Sequence, residues 1–176
     1  MAGEGGRRDA HCRRCRHAPA DATLSAGPAQ AGVSARGDAR MWLHESRIEV
    51  DAPAAAVWAR FADVAGWKRW NAGVAECSLH GAFADGGEFD MRLPDGSEFR
   101  SRLFDVVEGR SFADETQVGE HRVRVWHRID PLDVARCRVA YQAEVEGPDA
   151  AGVGNAVTDD FGDVLAALKR DVEFAA

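Results

Sequence analysis

“VWARFADVAGWKRWNAGV”, residues 57–74, predicts two short helices in succession. Val57 and Phe61 stand four residues apart, the spacing that places two apolar side chains on one face of a helix. Gly66 interrupts the pattern, and “GWKRW” predicts one further helical turn. That turn is expected to end at Asn71, a residue type that tolerates the left-handed conformation found at helix ends. The stretch therefore predicts an amphipathic helix followed by a single turn that carries two tryptophans.

The two tryptophans of this turn, Trp67 and Trp70, pose the first functional question. An indole has a large apolar surface, and its N–H needs an acceptor once it is buried. Two such side chains beside Asn71 therefore suit either the core or the wall of a cavity. The sequence alone leaves both interpretations open.

Strand patterns flank the helical stretch on both sides. “HESRIEV”, residues 44–50, alternates polar and apolar residues before the helices, and five or six further strand-like runs follow between residues 75 and 147. Turn sequences such as “ADGG” at 84–87 and “PDGS” at 94–97 separate these runs. Short turns of this kind join antiparallel neighbours, so the sequence predicts an antiparallel meander of about seven strands.

Alternation along these runs assigns the two faces of the predicted sheet. One face is expected to be apolar and buried: Phe89, Met91, Leu93, Phe99, Ser101, Leu103, Val123, Val125, Cys137, Val139, Tyr141, Ala143 and Val145. The other is expected to carry mixed charges in water: Glu88, Asp90, Arg92, Arg100, Arg102, Arg122, Arg124, Arg138 and Glu144. Trp126 and Phe104 depart from this scheme, and stacking against neighbouring arginines explains both.

The last element is a long amphipathic helix. “AVTDDFGDVLAALKRDVEF”, residues 156–174, places Phe161, Leu165 and Leu168 on one apolar stripe, after a glycine-rich linker. A sheet with one apolar face and one long helix to cover it predicts an α+β fold.

This order of elements, together with Trp58, Asp63, Trp67, Trp70 and Asn71, resembles the polyketide cyclase/dehydrase-like branch of the START-related superfamily over residues 42 to about 173. The resemblance implies a helix-grip fold, in which a curved sheet of about seven strands wraps around the C-terminal helix. It also implies a cavity between sheet and helix, with the two short helices near its mouth.

Three functions follow from the resemblance. The first is binding of a small apolar or amphipathic ligand in the cavity, at residues expected to line it: Trp67, Trp70, Asn71, Phe89, Met91, Phe99, Ser101, Leu103, Tyr141, Phe161, Leu165 and Leu168. The second is a polyketide cyclase-like enzyme that uses Tyr141 and His127. His127 is in phase with the inward Val123 and Val125, but it stands near a strand end and is expected to be a partly exposed surface residue. The third is a protein-interaction domain similar to the Hsp90-activating relatives, docking through its acidic surface.

The sequence lacks the common catalytic signatures: a Ser-His-Asp order, a glycine-rich phosphate loop after a strand, and H-E-x-x-H. We therefore assign no catalytic residue, cofactor or metal at this stage. The enzymatic alternative depends on the resemblance alone.

Residues 1–40 are expected to be a disordered extension of the domain at 41–176. They lack an apolar period and carry seven Arg against four acids, whereas the remainder carries 15 Lys or Arg against 25 acids. Cys12 and Cys15 have the spacing of half a zinc site, but the second half is missing. An acidic domain without a membrane-length apolar run predicts a cytoplasmic monomer or weak homodimer that neither binds nucleic acid nor inserts into membranes.

Overall fold

A computed structural model describes residues 40–174. The predicted extension, apart from Arg40, and the Cys12–Cys15 pair lie outside the described residues. No helix in the described part of the chain is long and apolar enough to cross a membrane.

Seven antiparallel strands form one curved sheet, as predicted. Each strand pairs with its sequence neighbour, except that β1 joins the far side of β7, giving the order β1-β7-β6-β5-β4-β3-β2. The strands are β1 (Met41–Val50), β2 (Glu76–His80), β3 (Glu88–Arg92), β4 (Glu98–Val107), β5 (Ser111–Val118), β6 (His121–Pro131) and β7 (Cys137–Glu146). The α-helices pack on β1, β7 and β6, and β7 lies between the other two strands.

Two short helices follow β1, as the opening stretch predicts: α1 (Ala54–Ala62) and a 3₁₀ helix (Val64–Arg69). The carboxylate of Asp63 separates them, since Oδ1 accepts the Gly66 N–H at 3.1 Å and Oδ2 pairs with Arg69. Asn71 is not left-handed, contrary to prediction, because the only non-glycine residues with positive φ in the described range are Asp105 and Asp149.

The C-terminal helix is divided in two. The glycine-rich segment predicted as a linker forms α2 (Ala150–Thr158), and α3 (Phe161–Phe174) follows after a two-residue turn. Asp149 caps α2 by accepting the Gly152 N–H at 3.3 Å, which offsets the poor helix propensity of glycine. Because of this division, α2 and α3 pack on the sheet as two separate helices.

The α-helices cover the apolar, concave face of the sheet. The end of α3 is tied to the end of β1, where Lys169 donates to the Glu49 carbonyl at 2.7 Å and pairs with Glu173 at 3.0 Å. Arg60 of α1 pairs with Asp171 of α3 at 2.6 Å. These contacts fix the two α-helices to each other and to the sheet.

Ion pairs cover the convex face, which confirms the face assignment. Arg122 and Arg124 pair with Glu146, and Arg128 and Arg138 pair with glutamates of β1. Trp126 packs edge-to-face on Phe104 with ring centroids 5.7 Å apart, and the guanidinium of Arg124 lies 5.8 Å from the Trp126 ring centroid. Arginine stacking is thus found at Trp126, whereas Phe104 packs on Trp126 itself.

Candidate functional site: a polar band on the concave face

Five polar side chains occupy neighbouring inward positions on β1, β7, β6 and β5, and we call them the polar band: His44, Ser46, Asp114, His127 and Tyr141. The register explains their proximity. Ser46, Tyr141 and His127 are successive partners across β1, β7 and β6. His44 and Asp114 belong to the next inward row, which also contains Ala143 and Val125.

His127 and Asp114 form the central pair of the polar band. The ring Nε2 donates to Asp114 Oδ2 at 3.0 Å, and both side chains are 13% exposed. The His127 ring stacks on Phe112 with centroids 4.1 Å apart and lies edge-on to Tyr141 at 4.3 Å. The second ring nitrogen, Nδ1, is buried and has no hydrogen-bond partner. The pair therefore holds one imidazole rigidly, with an unused nitrogen among aromatic rings.

Tyr141 is the most buried member of the band, at 4% exposure. Its ring contacts Phe61 and Phe161, with centroid distances of 6.2 Å and 5.6 Å. Burial raises the pKa of Tyr141 above its ordinary value of 10.0, and the charges of Asp114 and Asp160 raise it further. The phenol therefore keeps its proton and acts as a hydrogen-bond donor rather than as a base.

His44 and Ser46 extend the band onto β1. His44 Nε2 and Ser46 Oγ are hydrogen-bonded at 2.9 Å, and the His44 ring stacks on Trp42 with a centroid distance of 5.6 Å. Phe161 of α3 lies 6.3 Å from the same ring. Both ends of the band are therefore framed by aromatic side chains.

The band lies where two hydrophobic clusters of the described residues meet. The larger cluster packs α1, the 3₁₀ helix and α3 on the sheet, and the smaller one packs α2 on Val123 and Val145. Trp42 and Val125 contact both clusters. Asp114, Val125 and His127 stand on interior strands and face inward, yet they are only half-buried. The α-helices therefore leave a solvent-reachable gap over the band.

The predicted tryptophans have different environments. Trp67 donates its indole N–H to the Phe61 carbonyl at 3.0 Å and packs against Phe89 and Phe112. Trp70 is also buried, but its indole N–H has no hydrogen-bond partner. Asn71 stabilises the following turn, since its side-chain oxygen accepts the Gly73 N–H at 2.9 Å. Trp67 is thus a satisfied core residue, whereas Trp70 keeps an unused donor.

The remaining predicted site residues divide by burial. Phe89, Leu103, Phe161, Leu165 and Leu168 are packed in the larger cluster, while Met91 and Phe99 are half-buried partners at the β3–β4 pair. Ser101 is buried and hydrogen-bonded to Thr116 at 2.5 Å. Of the residues predicted to line a ligand site, Tyr141 belongs to the polar band and Phe161 borders it.

Two surface depressions lie elsewhere and are lined largely by charged residues. One of about 750 Å³ is lined by Arg40, Met41, Gln117, Glu120, Arg122, Glu146 and Gly147. The other, of about 520 Å³, is lined by Glu76, Ser78, Asp90, Met91, Arg92, Glu98, Phe99 and Arg100. Their ion-paired linings suit water better than an apolar ligand.

Sequence analysis missed Asp114, His44 and Ser46 and placed His127 on the surface. The last placement is wrong, because pairing with Tyr141 and Phe112 turns the ring inward. The missed signal is the phase of alternation. Asp114 stands between Phe112 and Thr116, which are both buried, so strict alternation along this strand also points its carboxylate inward.

Comparison with known proteins shows what this architecture is similar to. The family model “Polyketide cyclase / dehydrase and lipid transport” matches residues 41–173. No curated protein matches the chain.

Solved structures share the fold at low sequence identity. A START superfamily protein from Mycobacterium smegmatis has a TM-score of 0.65 and 18% identity, and the alignment covers 76% of this chain and 99% of that one. The Zhui aromatase/cyclase from Streptomyces sp. R1128 has a TM-score of 0.62 and 21% identity, covering 77% and 98%. A Thermobifida fusca protein has a TM-score of 0.59 and 25% identity, covering 74% and 92%.

Proposed function

Because the chain belongs to the polyketide cyclase / dehydrase and lipid transport family, we propose that its domain binds a small amphipathic molecule over the polar band of the concave face. The observation that carries this proposal is the half-buried His127–Asp114 pair on the mainly apolar concave face. Polar groups are expensive to bury, so an inward pair that solvent still reaches suits the anchor of a ligand. The surrounding rings supply the apolar wall.

In this site, polar residues bind the polar groups of the ligand and aromatic residues contact its apolar part. Tyr141 donates a hydrogen bond, Asp114 accepts one, and Phe112, Phe61 and Phe161 contact the apolar body. A ligand with a flat apolar body and one or two oxygen or nitrogen substituents matches this set.

Blocking the gap tests the proposal. Val125 faces inward beside Asp114, so Val125→Phe fills the space without removing a polar group. Val107→Phe makes the same substitution at a valine that is 53% exposed, and serves as the control. Fatty acids, flavonoids, steroids and polyketides are screened by thermal shift, and native mass spectrometry asks whether a small molecule co-purifies.

We expect a binding compound to stabilise the parent and Val107→Phe by about 2.7 kcal/mol at a hundredfold excess over Kd. Val125→Phe is expected to lose this stabilisation. If no compound stabilises the parent and nothing co-purifies, ligand binding is wrong and the protein-interaction alternative is favoured.

An enzymatic role is the second candidate, and the unpaired Nδ1 of His127 is the observation that favours it. With Nε2 donating to Asp114, Nδ1 is the basic atom of the ring. A base beside a protonated phenol is the arrangement needed to remove a proton next to a carbonyl and to stabilise the resulting enolate. The cyclase-like reaction of a poly-keto substrate requires this step.

Tyr141→Phe separates the two candidates. An enzyme is expected to lose turnover while retaining ligand affinity, because only the donor to the enolate is removed. A structural hydroxyl would instead cost about 0.5 to 1.5 kcal/mol of unfolding free energy with turnover unchanged. Turnover of a poly-keto substrate and urea denaturation of the same preparation decide the matter.

A further inference from the structure

Resting on the ligand site proposed above, we infer that the polar band selects ligands that carry a protonated amine on an aromatic body and disfavours carboxylates. The starting point is Asp114. Among residues 40–174 its ion-pair partner is His127, and no inward strand position there carries Lys or Arg. With Asp114 ionised, the pair has a net charge of −1 or 0, and never a positive one. A carboxylate ligand gains nothing from such a pair.

Two cations of the α-helices, Arg60 and Lys169, are already engaged. Arg60 pairs with Asp171, and Lys169 binds the Glu49 carbonyl and Glu173 at the far end of α3. Neither is free to neutralise Asp114 or to receive a ligand carboxylate. These two helical cations are therefore committed to partners other than Asp114.

The electrostatic field around Tyr141 has the same sign. Asp114 on β5 and Asp160 beside α3 both raise the pKa of the Tyr141 hydroxyl, which means that both make its surroundings more negative. His44 is the remaining titratable group of the band, and its Nε2 is hydrogen-bonded to Ser46.

Aromatic rings near His127 also favour a ligand with an aromatic body and an amine. Phe112 and Tyr141 flank His127, and Phe61 lies 5.9 Å from the same ring. The face of an aromatic ring attracts a cation, with a stabilisation that grows when water is excluded. An ammonium group beside Asp114 would therefore be held by charge, while the rings around His127 supply an apolar wall that suits an aromatic body.

The test uses three ligands that share a naphthyl ring and a two-carbon chain. They are the amine 2-(2-naphthyl)ethylamine, the alcohol 2-(2-naphthyl)ethanol and the carboxylate anion (2-naphthyl)acetate. Their dissociation constants are measured by titration calorimetry at about pH 8 on the full chain, Asp114→Asn and Asp90→Asn. Asp90 is the matched control because it is an exposed carboxylate on the convex face, already paired with Arg100 and His80.

We expect the parent to bind the amine about tenfold more tightly than the alcohol, and the acetate most weakly. Asp114→Asn should abolish the amine preference, Asp114→Glu should retain it, and Asp90→Asn should leave it unchanged. Equal binding of all three ligands, or a preference that survives Asp114→Asn in folded protein, overturns the inference while ligand binding stands. If none of the three binds and the compound screen is also negative, the proposed function fails and the inference fails with it.

Discussion

Two histidine–aspartate pairs lie on opposite faces of the same sheet. On the convex face His80 contacts Asp90 at 2.8 Å, with side chains 49% and 44% exposed. On the concave face His127 contacts Asp114 at 3.0 Å, with both side chains 13% exposed. Asp90 also receives two hydrogen bonds from Arg100, whereas Asp114 pairs with a histidine whose ring stacks on Phe112.

The difference shows that environment, rather than residue type, makes a site. The guanidinium of Arg100 and the His80 ring hold the pKa of Asp90 well below its usual range, and solvent screens the whole group. Asp114 has no such guanidinium among the described residues. Under the proposed function a ligand competes for the concave pair, while the convex pair is satisfied in water.

The largest expected effect on stability comes from comparing a tryptophan packed in the core with one on the convex face. Trp67→Ala should lower the free energy of unfolding by about 3 to 5 kcal/mol, because it removes a buried ring and leaves a cavity against Phe89 and Phe112. Trp126→Ala on the convex face should cost about 1 kcal/mol. Urea denaturation measures both, and equal losses would contradict the contrast.

A smaller effect concerns the fit of α2 against β1. A Cβ at Gly154 would overlap the Trp42 ring, whereas a Cβ at Gly162 in α3 meets nothing within 4 Å. Gly154→Ala should therefore destabilise the protein by about 1 to 3 kcal/mol. Gly162→Ala should be neutral or stabilising by up to about 1 kcal/mol, since alanine favours the helix. A tolerated Gly154→Ala would show that α2 does not pack tightly on Trp42.

The smallest effect is acid sensitivity of the convex face. Arg138 lowers the pKa of Glu49, and Arg122 lowers that of Glu146, from an ordinary 4.5. A carboxyl group with a lowered folded-state pKa stabilises the protein above its unfolded pKa and loses that contribution as pH falls. Stability should therefore decline below about pH 4.5, less steeply in high salt and less steeply in Glu146→Gln. A decline that neither salt nor Glu146→Gln changes would place its origin elsewhere.

Much of the fold could be predicted because alternation and helical spacing are local signals. The face assignment of Phe89, Leu103 and Tyr141 needed only a period of two. The division of the C-terminal helix was missed, because glycines at 152 and 154 argue against a helix unless packing on Trp42 is known. That contact is tertiary and leaves no local trace.

The candidate site was harder to predict for the same reason. Tyr141 and His127 were recognised as polar residues in inward phase, but their partner Asp114 comes from another strand and is brought opposite Val125 by the register. The different environments of Trp67 and Trp70 also depend on the folded structure. The indole N–H of Trp67 donates to the Phe61 carbonyl, whereas that of Trp70 has no partner. Sequence spacing alone does not specify such pairings.

Histidine-ring NMR tests the central claim most directly, because the two histidine–aspartate pairs serve as probe and control in one spectrum. His127 and His80 are assigned with His127→Gln and His80→Gln, and the neutral 2-(2-naphthyl)ethanol is titrated into the full chain. The account predicts that the His127 resonances move in proportion to saturation while those of His80 stay in place. Saturable binding that leaves His127 unmoved, or that moves His80 instead, would contradict a ligand site on the concave face.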